Sequence, residues 1–149
     1  LASAANSITA SFSAAKNMMV YFSHGTLSAA VNLDLTFNND SAANYAYRYS
    51  QDNAAWTTAI NSTFFGANAF SASQSASSTG IFIINNPNNA HKIINITGIV
   101  SLGAGTAPKS WESMGAWATS TQITSLKIVG ESSATMAAGT SIYVYGSND

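Results

Sequence analysis

LDLTFNNDSAANYAYRYS, residues 33–50, gathers two of the chain's four Asp, its single Arg and three of its six Tyr. Leu33, Leu35 and Phe37 alternate with polar neighbours, and Tyr45, Tyr47 and Tyr49 do the same. Such period-two patterning marks strands with one buried face. A hairpin closed around NNDSAAN would set Phe37 opposite Tyr45, Leu35 opposite Tyr47 and Leu33 opposite Tyr49, making one continuous apolar face. The same register places Asp34 opposite Arg48 on the other face, an exposed ion pair contributing about 0.2–1 kcal/mol. Asn38, Asn39 and Asp40 suit the turn, because their side chains bond nearby backbone and tolerate left-handed conformations. The rival reading is a calcium loop of Asp34, Asn38 and Asp40. Calcium asks for six to eight oxygen ligands, and two carboxylates are thin support. The stretch is therefore expected to be scaffold.

The same period runs outward from it. NSITASF (6–12), KNMMVYFSHG (16–25), TGIFIINN (79–86), HKIINITGIVSL (91–102), QITSLKIV (122–129) and TSIYVYG (140–146) are all of strand length. Gly, Asn, Pro or Ser clusters bound each of them. Pro87 and Pro108 fall between runs, where they interrupt no ladder. Residues 41–46 and 110–119 are the two stretches with any helical character, and neither sustains apolar spacing beyond about two turns. Residues 67–78 and 103–113 are expected to be loops or irregular edges. The prediction is a single antiparallel all-β domain, a sandwich or barrel of about eight strands.

Charged residues make up only 7 % of the 149 residues, against roughly 25 % in an ordinary soluble protein. A net charge of −1 gives no attraction to nucleic-acid phosphates or an anionic membrane. No apolar run approaches the roughly 18 residues of a membrane-spanning helix. With 46 % hydrophobic and 11 % aromatic residues the chain has the means to build a core. So little surface charge points to a protein that works packed against copies of itself or a larger assembly. There is no Cys, which removes disulfides, thiol catalysis and cysteine metal sites together. The first residue is Leu1 rather than Met, as expected of a processed or trimmed chain, and residues 1–5 lack the regions of a signal peptide.

Catalysis finds little footing. His24 and His91 have no acidic neighbour in sequence, and no Ser stands in a G-x-S-x-G elbow. Asp34, Asp40, Asp52, Glu112 and Glu131 lie mostly in expected turns, with Asp149 at the terminus, so a paired-carboxylate mechanism gains no support. The chain is not expected to be an enzyme, and no cofactor or metal is called for. Trp56 and Trp111 sit in loop-like surroundings and are candidates for an interface or a stacked glycan, whereas Trp117 is expected in the core.

The run LTFNNDSAANYAYRYS resembles the fN-D-x-x-x-NY signature of a broad group of small virion proteins of tailed viruses. WATSTQITSLKIVG (117–130), in which a Trp precedes an ITS-type strand, is similar to the same group. So is GTSIYVYG (139–146), whose Val144-Tyr145-Gly146 stands where a Leu-Tyr-Gly-like tripeptide ends the final strand. SITASFSAAKNMMVYF (7–22) fits the group's opening strands. The resemblance covers most of the chain and is weakest over residues 57–79. It implies a jelly-roll β-sandwich on the outer surface of a phage or archaeal virus particle. It further implies a head decoration or cement protein bound across joints of the major capsid protein or to another virion protein. The alternative is a tail- or fibre-associated domain that holds host glycans. A homo-oligomer is expected, a trimer favoured, with neither nucleic acid nor membrane as partner. Asp34, Asn38, Asp40, Asn44, Tyr45 and Arg48 carry over as structural positions only. Asn39 stands where the group commonly has Gly, and Val144 where it commonly has Leu.

Overall fold

The computed structural model describes residues 1–66, 77–101 and 105–149. These residues hold eleven strands: β1 (Ser7–Ser11), β2 (Asn17–His24), β3 (Leu33–Phe37), β4 (Tyr45–Gln51), β5 (Thr57–Ser62), β6 (Phe65–Gly66), β7 (Ser77–Asn85), β8 (Lys92–Ser101), β9 (Lys109–Trp117), β10 (Ser125–Gly130) and β11 (Ser141–Ser147). Buried and outward side chains alternate clearly in β2, β3, β7, β8 and β10. They form two antiparallel sheets of a sandwich, a small one ordered β1-β10-β3-β6 and a large one ordered β11-β2-β7-β8-β9-β4-β5. Among the described residues, six of the eight non-glycine positions with positive φ are Asn or Asp. The many Asn thus supply left-handed turn positions at low steric cost.

The core lies between the sheets. Val20, Phe22, Phe82, Ile84, Ile94 and Ile96 point into it from the large sheet. Leu33, Leu35, Phe37, Leu126 and Ile128 meet them from the small one. Both Pro lie in connections, outside any strand.

The β3–β4 connection departs from the expected hairpin. β3 pairs with β10 and β6, while β4 pairs with β9 and β5, so the two strands belong to opposite sheets. Parity had identified the inward side chains, but inward residues can meet across a core as well as along a hairpin. Phe37 and Tyr45 do meet, with ring centroids 6.2 Å apart, as a contact between sheets. Asp34 and Arg48 instead stand on the two opposite outer faces of the sandwich. The expected ion pair does not form, and the Arg48 guanidinium lies 4.6 Å over the Trp56 ring, a cation–π contact.

Eleven strands exceed the expected eight because β5, β6 and β9 were not read as strands. Of the stretches expected to be loops, positions 67–76, 103 and 104 lie outside the described residues. Ser77 and Ser78 open β7, and residues 109–113 belong to β9.

Candidate interaction surface

Asp40 organises the β3–β4 corner. Its Oδ1 accepts from the Ala42 amide at 2.9 Å, and its Oδ2 accepts from Asn44 Nδ2 at 2.9 Å and Trp117 Nε1 at 2.7 Å. Burial alone would raise the Asp40 carboxyl, but these three donors outweigh it and hold the group below its ordinary value. The Tyr45 hydroxyl accepts from the Phe37 amide at 3.0 Å and donates to the Asp40 carbonyl at 3.1 Å. Burial pushes that phenol up to about 12, so it stays a donor at neutral pH. Asn38 takes up a left-handed φ of 51°. Its Oδ1 accepts from the Thr124 and Ser125 amides at 2.9 and 3.0 Å, while its Nδ2 donates to the Gln122 carbonyl at 2.8 Å. Asn38, Asp40, Asn44 and Tyr45 therefore join the corner to β9 and to the segment entering β10. The oxygens of Asn38 and Asp40 that a calcium ion would need are occupied by protein donors.

Several buried polar groups escaped sequence reading, two of them side chains of His and Lys. His24 is 2 % exposed. Its Nδ1 lies 2.5 Å from the Gly25 carbonyl and its Nε2 lies 2.6 Å from the Ser78 hydroxyl. A carbonyl only accepts, so Nδ1 carries the proton and Nε2 accepts from Ser78. The Ser–His pair is a feature of the core, since Ser78 is itself buried. Lys92 is wholly buried, its ammonium donating to the carbonyls of Pro87, Ala90, Thr119 and Ser120 at 2.5–3.3 Å. Burial pulls its basicity below the ordinary lysine value. No group of three His, Cys, Asp or Glu suited to a metal occurs among the described residues.

The two outer faces differ sharply. The small sheet turns Ser7, Thr9, Lys127, Asp34 and Thr36 outward, in rows that read Ser7–Val129–Asp34 and Thr9–Lys127–Thr36 across β1, β10 and β3. Asp34 is pushed up to about 6, first by burial and then by the neighbouring Glu131 carboxylate. The large sheet carries many exposed apolar side chains outside. Met19 and Tyr21 of β2, Ile81 and Ile83 of β7, and Ile93 and Ile99 of β8 are all exposed there. Ile60 of β5, Met114 of β9, and Tyr143 and Tyr145 of β11 extend the patch to both edges. Exposure runs from 38 % at Tyr21 to 70 % at Ile60, so these side chains are not shielded by their own fold. One shallow groove of about 320 Å³ runs between Tyr21, Ile81, Thr97, Ile99 and Glu112 on this face.

The candidate tryptophans separate. Trp56 is half-buried beside Arg48. Trp111 is 7 % exposed, packs near Tyr49 and leaves its Nε1 without a hydrogen-bond partner among the described residues. Its ring points inward from β9 and offers no surface for a glycan, contrary to expectation. No family profile, no curated protein and no solved structure matches the chain.

Proposed function

We propose that this chain is a structural subunit of a virus particle's outer surface, a decoration or cement protein of jelly-roll type that binds other virion protein. One observation carries the reading: ten large apolar side chains stand exposed on the outer face of the large sheet, interspersed with polar ones, while the outer face of the small sheet is mostly polar. Contiguous exposed apolar patches beyond a few hundred Å² mark interaction sites in soluble proteins. A subunit held permanently in an assembly keeps such a face covered, and low surface charge suits the same life. The virion assignment itself rests on the resemblance of residues 33–50, 117–130 and 139–146 to small tailed-virus virion proteins. The mechanism is mass action: a protein that binds only the assembled shell adds free energy against its rupture.

The alternative, a glycan-holding tail or fibre domain, retains Trp56 alone after the burial of Trp111. Counting copies per purified particle separates the two, followed by heating particles with and without the protein. Decoration predicts a fixed ratio to the major capsid protein and earlier rupture of stripped particles. A few copies per particle, with unchanged heat resistance, would overturn it in favour of the tail.

A further inference from the structure

The outer face of the large sheet is built as a near-palindrome. Four rows of outward side chains cross the strands in register. Along β11 they are Ser147, Tyr145, Tyr143 and Ser141. Along β2 they are Asn17, Met19, Tyr21 and Ser23, and along β7 Asn85, Ile83, Ile81 and Thr79. The central strand inverts the order with Ile93, Asn95, Thr97 and Ile99. Each of these strands therefore reads alike in both directions about a midline between its second and third outward residues.

We propose that this face is covered by a second copy of the same chain, in a two-fold symmetric pair. The inference rests on reading the face as an assembly interface and names its occupant. A two-fold axis lying in the interface and crossing the strands at that midline sets each strand over its own counterpart with the rows reversed. Tyr145 then meets Tyr143 of the second copy, Ile83 meets Ile81, Ile93 meets Ile99, and the polar Asn95 meets Thr97. Along these four strands apolar falls on apolar and polar on polar, while on β9 Met114 falls on Glu112 and on β4 Arg48 falls on Ser50. The patch is thus largely complementary to itself, as an isologous interface requires.

Charge follows the same operation. Arg48 and Glu112 are the only charged residues in the two central rows, on adjacent strands β4 and β9. The axis brings Arg48 of each copy beside Glu112 of the other, so the pair neutralises itself twice. Size agrees as well. Seven strands about 4.8 Å apart, each giving roughly seven residues at about 3.4 Å, project about 800 Å². Stable specific interfaces cover about 800 Å² on each partner. Two twisted sheets stack face to face at about −30°, a common packing of aligned sheets. The pair proposed is a closed dimer, where the resemblance implies a trimer.

Sedimentation equilibrium of the purified chain tests this, with circular dichroism to verify that each variant is folded. The wild type is expected to be a dimer. Ile83→Lys, at an exposed position, should give a folded monomer. Arg48→Glu and Glu112→Arg should each weaken association on the order of tenfold, and the double reversal should restore it. A wild-type monomer up to roughly 0.1 mM, a trimer, or a dimer indifferent to Ile83→Lys would overturn the proposal. If that monomer still occupies particles at a fixed ratio, the second copy is wrong and the decoration reading stands. If the dimer forms but particles hold only a few copies, the reverse is true.

Discussion

The Trp117 indole donates to Asp40 Oδ2 across 2.7 Å, joining residues 77 positions apart in sequence. That bond ties the corner between sheets to the end of β9, and Trp117 packs beside Phe37 and Tyr45 around it. Asp40→Ala leaves the buried indole N–H and the Ala42 and Asn44 donors without their acceptor. It is expected to destabilise the fold by about 2–3 kcal/mol. Trp117→Phe, which removes the donor and keeps a ring, should cost less. Urea unfolding of both variants checks the order.

Lys92→Met keeps the length of the side chain and deletes the donor shared by four carbonyls. The Pro87, Ala90 and Thr119 carbonyls then lose this donor, while the Ser120 carbonyl keeps only the Asn89 amide at 3.1 Å. A loss of about 3 kcal/mol is expected. Equal stability of Lys92→Met and wild type in urea would show that the carbonyls find water instead.

Gly115 is paired with Tyr47 in β4 and Ile94 in β8. A Cβ there would lie 2.1 Å from the Ala46 carbonyl oxygen and 2.7 Å from the Tyr47 Cα. Gly115→Ala must spread β4 from β9, and a destabilisation of about 2–3 kcal/mol is expected. Thermal unfolding measures it, and Ala at the open Gly105 position, whose φ is +86°, provides a comparison limited to backbone strain.

Asp34 gives a pH dependence of definite sign. Its folded value of about 6 lies above the unfolded 3.8, so the native state binds the extra proton between them. Stability from this group is fully present below about pH 4 and lost as pH rises through about 6. With Asp34 only half-buried, solvent screening reduces the effect to about 1 kcal/mol. Asp34→Asn should stabilise the protein by that amount at pH 7 and flatten its stability profile over this window. Asp40, held below its ordinary value, acts in the opposite sense, and only as pH falls below about 4.

Much of this architecture was legible in the sequence because β2, β3, β8, β10 and β11 display their alternation plainly. The Asn38–Tyr45 turn was legible as scaffold through residue types that bond nearby backbone, as Asp40 does with the Ala42 amide. The bonds of Asn38 to residues 122–125 and of Asp40 to Trp117 are long-range and left no local signal. The hairpin was misread because only β4–β5, β7–β8 and β8–β9 join neighbouring strands in one sheet. Parity is blind to that distinction. β9 was hidden because its inward positions between Trp111 and Trp117 are Ser113 and Gly115, which look like loop residues. The apolar outer face had left a signal in GIFII and NMMVYF, where both parities are apolar. Continuous runs of that kind belong to strands covered on both faces.

The chain carries its own probe for that covering. Of its four Met, Met18 and Met136 are 4 % and 0 % exposed, while Met19 and Met114 are 41 % and 40 % exposed on the outer face of the large sheet. Peroxide oxidation followed site by site by mass spectrometry should therefore separate two pairs. If this face works covered by protein, Met19 and Met114 of the assembled wild type oxidise nearly as slowly as Met18 and Met136. In folded, monomeric Ile83→Lys they oxidise fast. Rapid oxidation of Met19 and Met114 in the assembled wild type, at the rate of that variant, would contradict the account.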